Sequence, residues 1–323
     1  RSSDLYKERT TLIGFKMISA RSGIVLAAYV SPIIYLSTDN LKDGFALLGL
    51  IGGVFITVMG LIAFFSTKNA KMVQPKNTNM SFKEINPFIQ TKELVQNKPF
   101  ARLFSLFMLQ NLAIGASAST LIYFIINILK VDQSFIGTLF TLGAVVSLLV
   151  TPIWVVISQK IGKKKAFGIA ILIVAVVMIA AFFLNSNYFY LIFVLYVIVG
   201  FSDAGTQLMP NSMVPDTVEF DEALTGERRE GVIFGAWAFC RKSGMAGGAF
   251  LASIVLSVFG YESGALEQSD SALWGIRFAY AGIPVILWFL SWVLLKKYDL
   301  TEEKFEEIKQ FNLAKRIEGY KDV

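Results

Sequence analysis

Histidine is absent from the 323 residues of the chain, and cysteine occurs once, as Cys240. Without histidine, the sequence has neither imidazole metal ligands nor an imidazole acid or base. A single cysteine cannot form a disulfide within the chain. The sequence also contains no metal-ligand cluster, nucleophile–base pair or phosphate-binding loop. We therefore do not expect an enzyme, a bound metal or an organic cofactor.

Charged residues are scarce as well, at 17% of the chain compared with roughly 25% in soluble domains. Hydrophobic residues make up 54%, and the mean hydropathy is +0.58. Several apolar runs are longer than the ~18 residues that indicate a membrane-spanning helix. Barrel strands would be much shorter, and lipid leaves isolated strands without hydrogen-bond partners. The sequence predicts an all-α polytopic membrane protein.

Eight apolar segments can be drawn, and each is long enough to form a transmembrane helix. They run over Leu12–Leu36, Phe45–Phe65, Leu103–Leu129, Phe135–Ile157, Phe167–Leu184, Tyr188–Met209, Val232–Phe259 and Leu273–Leu295.

Lysine and arginine are concentrated in alternate loops between these segments. The positive-inside rule places the basic loops, and both ends of the chain, on the cytoplasmic side of the cell membrane. The net charge of +6 then reflects topology, and nucleic-acid binding is not expected. The region Arg1–Thr10 is polar and starts without methionine, so we expect it to begin inside a longer protein rather than with a signal peptide.

The longest loop separates two apolar segments from six, and six is the size of one half in transporters that are built from two related halves. This count predicts four regions. They are the last two helices of an N-terminal half (1–66), a cytoplasmic loop between halves (67–99), a six-helix C-terminal half (100–297) and a solvated, sequence-tolerant cytoplasmic tail (298–323).

Lys242 lies about 10 residues into the seventh segment, which is roughly 15 Å along a helix and near the middle of the hydrocarbon core. A lysine at that depth costs roughly 2.5–3.5 kcal/mol on insertion scales, so a functional or ion-paired role is favoured. The alternative is that the amine extends to the membrane surface, although a lysine side chain spans only ~6 Å.

Asp203 is predicted at a similar depth in the sixth segment, between Gly200 and Gly205. It either lines a cavity in an interrupted helix or serves as a buried counter-ion for a basic residue, with Arg241, Lys242 and Arg21 as the candidates. Gln207 follows one helical turn later on the same face.

Three further polar residues lie inside the apolar segments. Lys16 and Arg21 are five residues apart on the first segment, hence ~140° apart, and are not expected to face the same pocket. Asn111, beside Gln110 on the third segment, is either a ligand-binding amide or a hydrogen-bonding contact between helices.

Two sequence blocks resemble a known family. One is Gln159-Lys-Ile-Gly-Lys-Lys, where Gly162 and Lys163 belong to a short basic turn between two segments. The other is Met213-Val-Pro-Asp-Thr-Val-Glu-Phe-Asp-Glu, which contains Asp216 and is followed by Thr225-Gly-Glu-Arg-Arg-Glu-Gly and by Lys242-x-Gly. Together they are similar to the cytoplasmic motifs of the glycoside–pentoside–hexuronide:cation symporters, the melibiose permease-like family of the major facilitator superfamily. The stretch from Asp4 to Arg9, with Lys16, also resembles the start of the fifth helix of this family.

The resemblance implies alternating-access symport of a sugar, glycoside or hexuronide with Na⁺ or H⁺, in a protein that is monomeric. It aligns Lys242 with a sugar-site lysine, Lys16 with a sugar-site arginine, and Gln207 with a tryptophan that stacks on sugar. It also implies that the first four helices, which carry the cation-binding aspartates of the family, are missing here. Two alternatives stay open, namely a symporter for lysolipids or other amphiphiles, and a membrane scaffold or sensor that does not transport.

Overall fold

The computed structural model of the chain describes residues 6–35, 37–38, 40–68, 94–133, 135–226, 229–265 and 267–321. Most of the predicted loop at 67–99 lies outside the described residues. The helices are α1 (Tyr6–Tyr35), α2 (Leu41–Thr67), α3 (Lys98–Tyr123), α4 (Phe135–Ile161), α5 (Lys163–Phe182), α6 (Leu191–Thr225), α7 (Glu230–Val258), α8 (Asp270–Arg277), α9 (Ile283–Lys296) and α10 (Glu302–Lys321). Short π-helical turns at Phe124–Leu129 and Phe278–Gly282 extend α3 and join α8 to α9, and a 3₁₀ turn covers Ser186–Tyr188.

The predicted all-α fold is confirmed, since every apolar segment is found in a helix and the described residues contain no strand. Within the described residues, six spans are long and apolar enough to cross a membrane. They are Lys42–Thr67, Lys98–Leu129, Phe135–Ile161, Lys163–Phe182, Leu191–Thr225 and Asp270–Lys296. Helices α1 and α7 have 30 and 29 residues and are also long enough, but each has two basic residues within its apolar stretch.

Helix α6 is continuous through the glycines that flank Asp203, so the predicted interruption of this helix was wrong. The glycines permit close packing instead. A Cβ on Gly200 would lie 2.5 Å from the carbonyl oxygen of Gly143, and one on Gly205 would lie 2.7 Å from the ring of Trp154. The helix ends at Gly226, whose φ of +77° favours glycine.

Helices α3 and α7 form a seam of close backbone contacts. Gly244 and Gly248 face α3, and a Cβ on Gly248 would lie 2.0 Å from the carbonyl oxygen of Leu112. The Phe107 and Trp237 rings stack across the same seam, with centroids 3.9 Å apart. The Gly-x-x-x-Gly motif therefore does bring two helices together, as such motifs do in membranes. One face of α7 is fixed by this contact, and its opposite face is left uncovered.

The first two helices have a different environment. Helix α1 packs against α4 and α6, and it also contacts α2. The side chains described along α2 are mostly exposed, and many of them are large and apolar. Lipid or additional helices would cover such a surface.

The tail after α9 packs against the helical bundle, so the predicted solvated tail was wrong for its first turns. Phe305 is completely buried, and the Asn312 Nδ2 donates to the Glu219 carbonyl oxygen over 2.9 Å. Arg102 pairs with Asp299 at 2.6 Å. Burial raises the pKa of Asp299, but the hydrogen bond and charge of Arg102 outweigh this effect, and the net pKa is lower than usual. The tail thus contacts both α3 and α6.

A glycine-to-alanine change tests the seam. We expect Gly248→Ala to lower the free energy of unfolding by about 1–3 kcal/mol, because the added methyl group forces the two backbones apart. Thermal unfolding of detergent-purified protein measures this change. Gly168→Ala is the matched control, since its Cβ would make only ordinary contact with Leu295, at 3.7 Å. Equal stability of the two variants would contradict the close packing.

Two phenylalanines of α10 test the docking of the tail. Phe305 is 0% exposed and Phe311 is 54% exposed. We expect Phe305→Ala to make the tail sensitive to limited proteolysis, because removing a buried ring costs about 3–5 kcal/mol. Phe311→Ala is expected to digest like the wild type. Indistinguishable digestion of all three proteins would show that the tail does not depend on this contact.

Candidate substrate and cation site

Helix α6 carries a polar strip that is formed by three residues at four-residue spacing, Asp203, Gln207 and Asn211. Each is partly exposed, whereas the residues on the other faces of the same stretch are mostly buried. Because residues four apart stack along one face of a helix, the three side chains lie in one line over about two turns. The spacing of Asp203 and Gln207 predicts the first part of this strip, and extending the same spacing would have found Asn211.

Asp203 is the point where three helices meet through polar groups. The Arg21 guanidinium on α1 donates to its carboxylate, and the two side chains are 16% and 32% exposed. The Ser147 hydroxyl on α4 donates to the same carboxylate over 3.3 Å. Of the three candidate counter-ions for Asp203, the structure brings Arg21 to it. An ion pair with a hydrogen-bonded hydroxyl removes most of the cost of holding both charges in an apolar region.

Lys242 and Arg241 are both exposed, and neither has a hydrogen bond or ion pair within the described part of the chain. Gly244 and Gly248 on the same helix are buried against α3. Since each residue advances ~100° around a helix, Lys242 lies on the side of α7 opposite this seam. Ala238 and Ala246 lie one turn to either side of Lys242, and the larger side chains of Phe239 and Met245 are also exposed on that side.

The polar strip and Lys242 lie at a common depth. The Trp237 Nε1 of α7 donates to the Asn211 Oδ1 of α6 over 3.1 Å, and this bond sets the relative height of the two helices. Lys242 is five residues beyond Trp237, roughly 7.5 Å along α7. On the antiparallel α6, Gln207 lies about 6 Å and Asp203 about 12 Å from Asn211 in the same direction. Lys242 is therefore level with the interval between Gln207 and Asp203.

The other predicted site residues lie elsewhere. Lys16 is exposed on α1 and has no ion pair among the described residues, while Arg21, ~140° away around the helix, faces α6. Asn111 is buried in the α3–α7 seam and donates to the Phe107 carbonyl oxygen of its own helix, at 2.8 Å. Gln110 donates to the Ser291 hydroxyl at 3.2 Å. Both amides thus act within helix packing and do not face Lys242.

The basic turn between α4 and α5 and the Asp216 block form a buried ion pair. Gly162, with a φ of +84°, caps the start of α5, whose first residue is Lys163. The Lys163 Nζ lies 2.6 Å from the Asp216 Oδ2 and donates to the Ser212 carbonyl oxygen at 3.0 Å. The two side chains are almost completely buried. The pair joins the start of α5 to the C-terminal part of α6.

A second charge cluster, at the end of α6, was not predicted from the sequence. Asp221, which is fully buried, accepts from the Arg229 Nε at 2.9 Å and from the Asn97 Nδ2 at 3.3 Å. It connects the end of α6 with the starts of α7 and α3. Asn97 and Asp221 are 124 residues apart, so no local pattern indicates their contact. In the described residues, no group of three or more histidine, cysteine, aspartate or glutamate side chains could hold a metal ion.

The six apolar spans and the charged groups between them define a multi-pass helical membrane protein. Residues 1–302 match the family model described as MFS/sugar transport protein, and the chain belongs to this family. The match confirms the resemblance that the two cytoplasmic blocks indicate.

Three relatives illustrate the range of the family. The chain is 27% identical to the uncharacterized symporter YnaJ of Bacillus subtilis, over 97% of this chain and 66% of the relative. It is 26% identical to the glucuronide carrier protein homolog of Escherichia coli, over 79% of this chain and 55% of the relative. It is 28% identical to the sodium-dependent lysophosphatidylcholine symporter 1-A of Danio rerio, over 69% of this chain and 42% of the relative. The chain spans about two thirds or less of the length of these relatives.

The buried pair of Lys163 and Asp216 makes a stability prediction. We expect Lys163→Met to destabilise the protein by about 3–5 kcal/mol, because it leaves a buried carboxylate without its counter-ion. The double variant Lys163→Met with Asp216→Leu is expected to recover much of this loss, since no unpaired charge remains. Thermal unfolding in detergent measures both, and Lys165→Met, on an exposed neighbour, is the control. A single variant as stable as this control would contradict the assignment.

Proposed function

We propose that the protein is a secondary transporter that moves a sugar, glycoside or hexuronide together with Na⁺ or H⁺ by alternating access. The observation that carries the proposal is the common depth of Lys242 and the polar strip of α6. Charged and amide side chains inside a membrane are costly, and they mark substrate or ion pathways when they face a water-filled cavity. In transporters of this type, such groups gather near the middle of the bilayer.

The chemistry of these side chains suits an oxygen-rich substrate. The Lys242 ammonium has three donors for hydroxyl or carboxylate oxygens. Gln207 and Asn211 add amide groups that both donate and accept, although the Asn211 oxygen already accepts from Trp237 and its nitrogen donates to the Gln207 carbonyl oxygen. Lys16 contributes a further cation from α1, whereas the Asp203 carboxylate is already bonded by Arg21 and Ser147 and is not assigned to the substrate. Because lysine presents a point charge rather than a planar fork, an acidic sugar fits this set well.

The proposal also includes a membrane topology for the chain. Helices α1 and α7 span the membrane beside the six apolar spans, with the basic loops and both ends of the chain in the cytoplasm. Residues 1–66 and 100–297 then belong to two different halves of a monomeric transporter in the cell membrane. The uncovered face of α7 borders the cavity between these halves.

A second candidate is symport of an amphiphile with an anionic head group. A relative is named a lysophosphatidylcholine symporter, and another, at 25% identity, is named a sphingosine-1-phosphate transporter. Large exposed apolar side chains, among them Phe239 and Phe250, lie on α7 close to Lys242 and provide contacts for an acyl chain. Both candidates use the same cation for the polar group.

Uptake into proteoliposomes tests the function and its central residue. Wild-type protein is offered labelled melibiose, a β-D-glucuronide and lysophosphatidylcholine, and we expect uptake of a sugar. Lys242→Gln is expected to abolish this uptake at unchanged membrane expression, because the charge that binds the substrate is lost. Arg241→Gln, which changes the neighbouring exposed cation, is expected to retain it. Undiminished uptake by Lys242→Gln would remove Lys242 from the site, and uptake of the lysolipid alone would favour the second candidate.

A further inference from the structure

We propose that Asp203 carries the coupling proton and that Arg21 competes with this proton for the carboxylate. This inference rests on the proposed symport and names the coupling ion and its binding group. In the deprotonated state, the Asp203 carboxylate bonds the Arg21 guanidinium and holds α1 against α6. In the protonated state, the carboxyl group is neutral and the ion pair is broken.

Asp203 is distinguished by its position. The other acidic residues of the described helices lie at helix ends, in the tail helix α10 or in the C-terminal part of α6, where Asp216 is level with Lys163 at the start of α5. Asp203 lies twelve residues into the 35-residue helix α6, far from both ends. A single acid at that depth is the kind of group that relays protons in membrane transporters. Its side chain is 32% exposed, so water and a proton can reach it from the uncovered side.

The helices around Asp203 contribute few other ionisable groups. Helix α1 contributes Arg21, and α4 contributes the neutral Ser147 hydroxyl. The basic residues of α3, α4 and α5 lie at or near their cytoplasmic ends, and those of α7, Arg241 and Lys242, are exposed. Helix α10 reaches only the cytoplasmic part of α6, through Asn312. Arg21 is therefore the charge that a proton on Asp203 has to displace.

Arginine stays protonated in proteins, so the state of the pair depends on Asp203 alone. When the carboxylate accepts a proton from water on one side of the membrane, the attraction that holds α1 to α6 disappears. When α1 returns and Arg21 bonds the carboxylate again, the proton leaves to water on the other side. A proton needs only one carboxylate oxygen, whereas hard metal ions collect about six oxygen ligands. Among the described residues, Ser147 is the hydroxyl that bonds the Asp203 carboxylate.

The pair also connects the two predicted units of the chain. Arg21 belongs to the region 1–66, and Asp203 and Ser147 belong to the region 100–297. Breaking the bond frees α1 from a contact with both α4 and α6. Because the bond crosses from one unit to the other, protonation acts directly on the contact that changes when the two units move. Lys242, which has no such contact among the described residues, stays available to the substrate.

Two transport modes of reconstituted protein separate coupling from binding. The first mode is counterflow, the exchange of labelled for unlabelled sugar, with the sugar that the wild-type proteoliposomes take up. Counterflow needs no net proton movement. The second is proton influx that is driven by an inward sugar gradient and reported by an entrapped pH-sensitive dye. For Asp203→Asn we expect loss of proton influx with counterflow retained, because the substrate site is intact and the amide cannot carry a proton. The control is Asp270→Asn, which changes an exposed acid at the start of α8 and is expected to retain both modes.

The single variant could fold poorly because it leaves Arg21 without its counter-ion. The double variant Arg21→Gln with Asp203→Asn removes both charges and therefore serves as a second test. It is expected to show counterflow without proton influx. Proton influx that persists in Asp203→Asn would overturn the proposal. Loss of counterflow in the single and double variants alike would also overturn it, in favour of a purely structural pair. A sugar gradient that drives Na⁺ influx and no proton influx in the wild type would reject proton coupling alone, whereas absence of wild-type counterflow would reject the proposed transport itself.

Discussion

A charge inside the hydrocarbon region needs either an opposite charge or a polar environment, and this constraint explains most of what is unusual in the chain. Arg21 and Asp203 satisfy it together, with the help of the Ser147 hydroxyl. Lys163, at the start of α5, and Asp216, in the C-terminal part of α6, do the same. Lys242 does not, since it is exposed and without a partner among the described residues. Water, substrate or polypeptide on the exposed side of α7 therefore has to supply the polar surroundings that the Lys242 charge needs.

Close helix packing makes this exposure of Lys242 a fixed property of the fold. Lipid tails are as apolar as leucine, so helices associate in a membrane through tight contact and hydrogen bonds rather than through the hydrophobic effect. In the α3–α7 seam, Gly244 and Gly248 permit backbone contact that no larger residue allows. The seam holds one side of α7 against α3 and so turns Lys242 to the other side. The positions of Gly244 and Gly248 thus determine the side of α7 on which Lys242 lies.

The helices could be predicted from the sequence because an apolar run in lipid has to satisfy its own backbone hydrogen bonds. Long-range contacts could not: Arg21 and Asp203 are 182 residues apart, and several basic residues were equally good partners before the fold was known. An interruption of α6 near its glycines was one of two alternatives for Asp203, but α6 is continuous there, and Gly200 and Gly205 pack closely against α4. In the tail, Phe305, Ile308 and Asn312 follow helical spacing, a signal outweighed by the many charges around them.

The balance of charge at membrane depth favours a particular substrate within the proposed class. Lys16, Arg21, Arg241 and Lys242 are basic, while Asp203 is the acidic residue at comparable depth in the described helices. Asp203 neutralises Arg21, which leaves the other three cations without a counter-charge in that part of the chain. Coulombic attraction strengthens as the local dielectric falls, so a site between these helices attracts anions more strongly than neutral sugars. A hexuronide meets this requirement with its carboxylate, and its hydroxyl groups suit the amides of the polar strip.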